Sequence, residues 1–486
     1  MKVAEFVARS LSSRGVVAAW GLPGAESNAV TAALKGAEIR YVQMRSDAAA
    51  LFAAEASAQL SGGPGLAVGP KGRLVAGLSS GIVDRAAVFG WCTDDVRDTP
   101  WPVYRPWPTE VRPVLRTALA AQRMGRASPV ALALPIDVSE GEILDSGDIV
   151  DIVAGSVAIE KMLVEKVRRF KRPMIVVGFA GRRSGVGKLA DVLQAPVFTT
   201  ARAKGAVPEE TGLSAGAVGT HAAVDALHRA FLGRADGLIF VGFDPSEVAS
   251  HFRNAFDPTS EVIVLDEVVP TDLGVRIDNL VIGPLPALMA SLLDGLNSGP
   301  VPGGASEWRA EDAAGHRKRW QSLLEEKGFG VLQAVKAVRF SVGGGDAGSI
   351  DLPARGAATH VWRCDRPDRL LQSDARVPGY GIPSALAVVT AARRCVAVLD
   401  ERTAQQQIGE LATSIEANLP IVVVVLVDSE KPLVDWPAVG RAFGGEGVTA
   451  TTSYEVSQAV RDGLYAEEPK TRVIAVRMDH KSERRV

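Results

Sequence analysis

Short runs of apolar residues alternate with longer amphipathic segments along almost the whole chain. The apolar runs are rich in valine, isoleucine and alanine. This alternation is typical of parallel strands that are buried on both faces and connected by helices. The strands predicted in this way lie at residues 16–20, 40–44, 66–68, 129–135, 174–177, 196–200, 237–241, 262–265, 395–399 and 421–427.

Two segments of different composition divide this pattern into three parts. Residues 139–151 are polar, and residues 297–306 are rich in glycine, proline and serine, which is typical of linkers. A chain of 486 residues is also too long for one ordinary domain. The sequence therefore predicts an α/β protein with three doubly wound parallel-sheet domains, at residues 1–145, 155–296 and 307–480. The first and third of these domains are compatible with one shared topology.

Composition and charge exclude several classes of function. The net charge is −2, so the chain has no excess of basic residues for nucleic acid or an anionic membrane. The longest apolar run, residues 419–427, is about half as long as a membrane-spanning helix requires. Three widely spaced cysteines without metal-ligand spacing favour a reducing compartment. We therefore expect a cytoplasmic protein with neither a nucleic acid nor a membrane partner.

Short motifs occur in a consistent order across all three predicted domains. They are Gly21-Leu-Pro-Gly24, Arg45-Ser-Asp47, Ala53-Ala-Glu55, Lys204-Gly205, Gly219-Thr-His221, Gly379-Tyr-Gly-Ile-Pro383, Glu410-Leu-Ala-Thr413 and Asn418-Leu-Pro420. Together they resemble the thiamine diphosphate-dependent enzyme superfamily, and the acetolactate synthases in particular. Each motif is short, but their shared order covers nearly the whole chain.

The resemblance implies a fold and a chemistry. It makes the first domain pyrimidine-binding-like, the second a central domain and the third pyrophosphate-binding-like. Acetolactate synthases hold thiamine diphosphate through Mg²⁺ and use it to decarboxylate and ligate small 2-oxo acids. Their central domain binds FAD in some members, and this sequence does not decide whether it does so here. Their active sites form between two subunits, so the resemblance also implies a homodimer or a homotetramer.

Asp47 lies where the family has the glutamate that hydrogen-bonds the aminopyrimidine ring of the cofactor. By position it is the candidate catalytic residue. Aspartate keeps the carboxylate but is one methylene shorter, which loses roughly 1.5 Å of reach. Hydrogen bonds weaken steeply over that distance. The alternative is structural, because aspartate is a favoured N-cap and residue 47 begins a helix predicted at residues 47–60.

The strand predicted at residues 395–399 is followed by Asp-Glu-Arg-Thr, where the family has a Gly-Asp-Gly-Ser loop that binds the diphosphate and its metal ion. Glycine lets a backbone approach phosphate closely, and here Asp400 and Arg402 replace both glycines. By position, Glu401 and Asp428 are the candidate metal ligands. Arg402 is a candidate phosphate contact. The alternative is a surface loop in which Glu401 and Arg402 are only solvated.

The remaining cofactor-binding candidates also follow from the resemblance: Gly24, Lys71, Pro378, Gly379 and Thr403. Lys71 intrudes into a loop that reads Ser-Gly-Pro-Gly in the family. Pro378 replaces the methionine that supports the bent cofactor. Part of the family's segment after Gly90 is missing from this chain.

These substitutions surround one predicted pocket and lead to three hypotheses. The first is an acetolactate synthase-like protein whose cofactor and metal site is degraded, so that it is non-catalytic or repurposed. The alternative is an active lyase or transferase that decarboxylates or ligates a 2-oxo acid with altered ligands, since Asp47, Glu401 and Asp428 keep carboxylates. The third is a scaffold or regulatory subunit that pairs with an active paralogue.

Overall fold

The computed structural model describes most of the chain. The described residues are 1–21, 28–70, 74, 81, 84–94, 102–123, 126–143, 147, 149, 158–249, 252, 260–270, 273, 276–299, 306–326, 328–353, 355–375, 377–427 and 434–479. The strands are β1 (Ala18–Gly21), β2 (Arg40–Gln43), β3 (Gly65–Gly69), β4 (Val88–Cys92), β5 (Val103–Tyr104), β6 (Val130–Ala133), β7 (Pro173–Val177), β8 (Val197–Thr199), β9 (Ser214–Ala217), β10 (Gly237–Val241), β11 (Glu261–Asp266), β12 (Asn279–Ile282), β13 (Ala347–Asp351), β14 (Leu370–Leu371), β15 (Cys395–Asp400), β16 (Val422–Val427), β17 (Glu446–Ala450) and β18 (Arg472–Arg477). The helices are α1 (Val3–Ser12), α2 (Asn28–Gly36), α3 (Asp47–Ser61), α4 (Val111–Arg123), α5 (Ile136–Glu140), α6 (Lys161–Arg169), α7 (Val186–Leu193), α8 (Ala222–Leu232), α9 (Leu285–Asn297), α10 (Ala310–Leu323), α11 (Val331–Ser341), α12 (Arg355–Val361), α13 (Gly381–Thr390), α14 (Glu401–Gln407), α15 (Glu410–Glu416), α16 (Trp436–Ala442) and α17 (Ser453–Leu464). Within these residues no helix is both long and apolar enough to cross a membrane.

The strands form three six-stranded parallel sheets, which confirms the predicted fold class. The first sheet has the order β2-β1-β3-β4-β6-β5, and the third has the order β14-β13-β15-β16-β18-β17. Numbered within each sheet, both orders are 2-1-3-4-6-5, so the first and third sheets share one topology. The second sheet, β12-β11-β10-β7-β8-β9, has the order 3-2-1-4-5-6 that is common in nucleotide-binding folds.

The central strands are apolar because helices cover both faces of a parallel sheet. Every residue of β16 is buried, and the same holds for β7 and β10. The outer strand β5 is only two residues long and half-buried. This strand belongs to the Trp/Pro-rich stretch at residues 101–108. Its place at the edge of the sheet fits that composition, because proline is tolerated in edge strands but not in central ones.

The chain forms two compact units. The first unit comprises residues 1–152, 328–353 and 371–485 and contains the first and third sheets. The second unit comprises residues 153–327 and 354–370 and contains the second sheet. Helix α10 belongs to the second unit, where it packs against α8 and β9. The exact domain boundaries at residues 145, 155, 296, 307 and 480 stay predictions.

Within the first unit, α3 packs against α13. The ring of Phe52 meets that of Tyr380 edge-on, with the centroids 5.7 Å apart. Gly379 precedes this contact with φ +119°, and a Cβ there would lie 3.2 Å from Phe52 Cε2. The backbone angle therefore favours glycine at this position, and a Cβ would also press on the Phe52 ring. The packing fixes the start of α13 next to α3.

Candidate functional site

Strand β15 runs directly into α14, so the turn at residues 400–403 is the start of a helix. Asp400 is the N-cap residue, with φ −88° and ψ 173°. Its Oδ1 accepts a hydrogen bond from the Thr403 backbone N–H at 2.8 Å. The predicted loop is therefore a capped helix start, and the prediction that Glu401 is only solvated is wrong because it accepts a hydrogen bond from Trp436, whereas Arg402 is exposed as that alternative expects.

The Thr403 side chain is also used inside this turn. Its hydroxyl lies 2.7 Å from Asp400 Oδ1 and 3.0 Å from the carbonyl oxygen of Asp351. It accepts a hydrogen bond from the Asp400 backbone N–H at 3.2 Å, which completes a capping box. Thr403 is buried, and both its backbone N–H and its hydroxyl form hydrogen bonds within the protein.

Asp351, at the end of β13, binds the backbone just before and at the start of α13. Its Oδ2 accepts hydrogen bonds from the backbone N–H groups of Gly379 at 2.8 Å, Tyr380 at 3.0 Å and Gly381 at 3.3 Å. A helix N-terminus carries partial positive charge and favours an anion at this position. The Asp351 carboxylate therefore occupies the position where these three backbone N–H groups could otherwise bind an anion.

Gln407 of α14 completes the binding of this carboxylate. Its Nε2 donates to Asp351 Oδ2 at 2.8 Å, and its Oε1 accepts from the backbone N–H of Ile382 at 2.7 Å. Burial raises the pKa of Asp351, and the four donors oppose that rise. Neither Asp351 nor Gln407 was predicted from the sequence. Asp351 ends β13 as Asp400 ends β15, but β13 was not among the predicted strands.

Glu401 and Arg402 lie on the first turn of α14. Glu401 Oε1 accepts a hydrogen bond from Trp436 Nε1 at 3.0 Å, and Trp436 itself is buried. Arg402 is exposed. The other candidate metal ligand, Asp428, lies outside the described residues. Among the residues that the structure describes, no three His, Cys, Asp or Glu side chains are placed to hold a metal ion.

Asp47 is the first residue of α3, but it is not the cap of that helix. The N-cap is Ser46, whose hydroxyl accepts from the Ala49 backbone N–H at 3.2 Å. The prediction that Asp47 caps the helix is therefore wrong by one residue. As a half-buried acid in the first turn, Asp47 still interacts favourably with the helix dipole.

Glu410, from the family-like motif at residues 410–413, fixes the turn that precedes Asp47. Its side chain is only 2% exposed. Oε1 accepts hydrogen bonds from the backbone N–H groups of Arg45 and Ser46, each at 3.1 Å. Oε2 accepts from the Thr413 hydroxyl at 2.9 Å. Burial raises the pKa of Glu410, while these hydrogen bonds lower it.

The structure thus brings several of the predicted residues together and leaves others apart. Thr403 and Gly379 both contact Asp351, one through its backbone carbonyl and the other through its carboxylate. Pro378 is exposed and, as a proline, offers no N–H. Two further cofactor-binding candidates, Gly24 and Lys71, lie outside the described residues.

Replacing Asp400 with alanine is expected to lower the free energy of unfolding by about 1 kcal/mol, because the N-cap acceptor of α14 is lost. The matched control is Arg402→Ala, an exposed neighbour on the same turn, for which we expect a change within about 0.5 kcal/mol. Urea denaturation followed by circular dichroism measures both values. Equal effects of the two substitutions would contradict a structural role for the Asp400 carboxylate.

Three segments of the chain match domain families of thiamine pyrophosphate enzymes. Residues 1–87 match the N-terminal TPP binding domain, residues 161–290 the central domain and residues 354–435 the C-terminal TPP binding domain. The three matches follow the order of the three sheets.

Several of the curated relatives are named acetolactate synthase. The probable acetolactate synthase large subunit of Methanocaldococcus jannaschii is 26% identical over 335 residues, which is 61% of this chain and 56% of that protein. The probable acetolactate synthase large subunit of Methanococcus aeolicus is 21% identical, over 96% of this chain and 91% of its own length. The acetolactate synthase of Bacillus subtilis is 24% identical with the same coverage of each chain.

Proposed function

Because the chain belongs to the thiamine pyrophosphate enzyme family, as an acetolactate synthase-like member, we propose that it is a non-catalytic or repurposed member. In this proposal the site that holds thiamine diphosphate in the family does not hold it here. The fold is retained, and the residues at the diphosphate and metal positions serve the structure instead.

The observation that carries the proposal is the closed turn at residues 400–403. A diphosphate needs backbone N–H donors, hydroxyl donors or cations around its oxygens. Here the Asp400 carboxylate takes the Thr403 N–H and lies beside the Thr403 hydroxyl. Its negative charge also lies at the position of the first glycine of the family's diphosphate loop. In this proposal the Thr403 donors are already used, and the Asp400 charge disfavours an anionic diphosphate.

The start of α13 supports the same conclusion. The three backbone N–H groups at residues 379–381 point to the Asp351 carboxylate, so an incoming phosphate would have to displace a buried anion. The hydrogen bond from Trp436 engages one oxygen of Glu401, which leaves that carboxylate less free to bind Mg²⁺. Arg402, the cation within the turn, is exposed.

The alternative proposal is an active thiamine diphosphate-dependent enzyme that decarboxylates or ligates a 2-oxo acid. The observation in its favour is that carboxylates are kept at Asp47 and Glu401, at the positions of the family's acidic residues. In that case Asp47 would contact the aminopyrimidine ring and Glu401 would bind the metal ion. The homodimer or homotetramer, and a pairing with an active paralogue, stay predictions from the resemblance.

Isothermal titration calorimetry of the full chain with thiamine diphosphate and Mg²⁺ separates the two proposals. We expect no saturable binding at cofactor concentrations up to the millimolar range, and no consumption of pyruvate. Micromolar binding would overturn the first proposal. If binding is seen, Glu401→Ala is the decisive variant, with the exposed Arg402→Ala as its control. Loss of binding and turnover only in Glu401→Ala would establish the alternative.

A further inference from the structure

Three of the six histidines in the chain lie together inside the second unit. His228 of α8, His316 of α10 and His360 of α12 are all buried. His228 Nδ1 lies 2.8 Å from His316 Nε2, and the rings of His228 and His360 are 5.9 Å apart between centroids. Three segments that are distant in sequence therefore meet at one histidine cluster.

Aromatic rings surround this cluster and keep it away from water. The ring of Phe231 stacks on His316 with 4.4 Å between centroids and an interplanar angle of 10°. Phe198 meets His228 edge-on at 5.0 Å, and Trp320 lies 5.1 Å from His360. Such apolar surroundings disfavour the charged form of a histidine.

The charges that face the cluster add to this effect. The cationic groups that act on it are Arg234, Arg319 and Lys204, and the His221 side chain also faces His360. Burial, with Arg319 and Arg234 as further causes, lowers the pKa of His316 to about 4. Burial also lowers the pKa values of His228 and His360 well below the ordinary value of 6.5.

Carboxylates on the surrounding elements are engaged with other groups. Asp225 of α8 accepts hydrogen bonds from the backbone N–H groups of Gly219 and His221, at 2.8 and 3.2 Å. Asp312 of α10 pairs with Arg234 at 3.1 Å. Glu209 pairs with Lys204 at 2.6 Å. Asp312 and Glu209 thus offset the charges of Arg234 and Lys204.

We propose that the cluster of His228, His316 and His360 makes the packing of α10 in the second unit sensitive to acid. A hydrogen bond between two imidazoles requires a donor on one ring and a neutral acceptor on the other. Protonating both rings turns both nitrogens into donors and places two positive charges in contact. Helix α10, which carries His316, then separates from the sheet, because charged imidazoles are unfavourable among buried aromatic rings.

The direction of the pH effect follows from where the protons bind. In the packed state the histidines are neutral, and in the separated state they titrate near 6.5. Their contribution to stability is therefore complete above pH 6.5 and is lost as the pH falls toward the value of the packed state. For the shift of the His316 pKa from 6.5 to about 4, opening becomes about 30-fold more favourable between roughly pH 7.5 and pH 5.

Hydrogen–deuterium exchange of the full chain, followed by mass spectrometry, tests the proposal. After correction for the intrinsic pH dependence of exchange, we expect peptides from α10 to open at least about 30-fold more at roughly pH 5 than at pH 7.5. Helix α6 in the same unit serves as the internal reference and is expected to change less. Unchanged protection of α10 across this range would overturn the proposal.

The variant His316→Gln tests whether ionisation causes the opening. The glutamine amide keeps a hydrogen-bonding group near the position of His316 Nε2, but it does not ionise. We expect it to reduce the pH-dependent opening of α10 by about 30-fold. His228→Asn is the second variant and is used if His316→Gln lowers the protection of α10 at neutral pH. A full pH response in whichever variant remains packed would also overturn the proposal.

Discussion

Replacing Asp351 with alanine is expected to lower the free energy of unfolding by about 3–5 kcal/mol. The substitution removes the acceptor for the backbone N–H groups of Gly379, Tyr380 and Gly381 and for Gln407 Nε2. Tyr380 and Gln407 are buried, so water cannot easily replace the lost oxygen. The start of α13 would lose its anchor to β13. Urea denaturation at neutral pH measures the effect.

The matched variant is Asp351→Asn, which keeps one oxygen at the position that all four donors contact. We expect it to remain within about 1 kcal/mol of the native chain at neutral pH. Because the folded-state pKa of Asp351 is raised above 3.8, its protonation contributes stability that is complete below pH 3.8 and lost as the pH rises through the raised pKa. The native chain should therefore gain stability relative to Asp351→Asn on acidification. A loss in Asp351→Asn as large as in Asp351→Ala would show that the charge, rather than the acceptor, holds the site.

Replacing Glu410 with alanine is expected to cost about 2–4 kcal/mol. Its carboxylate accepts from the backbone N–H groups of Arg45 and Ser46 and from the Thr413 hydroxyl, and it is almost fully buried. Without it, the turn before α3 loses its contact with α15 and leaves polar groups without acceptors. The position of Asp47 at the start of α3 would loosen as well. Thermal and urea denaturation measure the loss.

The control for Glu410→Ala is Glu416→Ala on the same helix. Glu416 is largely exposed and forms an ion pair with Arg45, a type of contact that contributes little in water. We expect less than about 1 kcal/mol for that substitution. The isosteric Glu410→Gln should also cost little, since its amide oxygen still accepts both N–H groups. If Glu416→Ala costs as much as Glu410→Ala, the buried contact is not what holds α3 and α15 together.

The sequence predicted the fold accurately where the pattern is local. An apolar strand such as β16 is identified by its own residues, because burial on both faces of a parallel sheet requires them to be apolar. Strand β9 was not predicted, since Ser-Ala-Gly-Ala has no apolar run. Strand β12 was missed because it lies at a sheet edge, where its residues alternate between half-buried and exposed and form no buried apolar run.

The candidate site was predictable only as a set of positions. The resemblance located Asp400, Thr403 and Glu410, but it did not indicate their partners. The alternative role for Asp47 was wrong because the choice between adjacent residues for an N-cap depends on where the helix actually begins. Asp351 was missed because its donors lie at the start of another helix, which no local pattern connects to it.

The sequence by itself determined three parallel sheets, the family and the chemical identity of each side chain near the candidate site. Only the tertiary structure decided which groups those side chains bind. Glu410 meets Arg45 across 365 residues, and His228 meets His316 across 88. Strand and helix propensities follow from neighbouring residues, whereas hydrogen bonds between distant segments form only after packing has brought them together. The same packing gives the Asp400 and Asp351 carboxylates their backbone N–H partners.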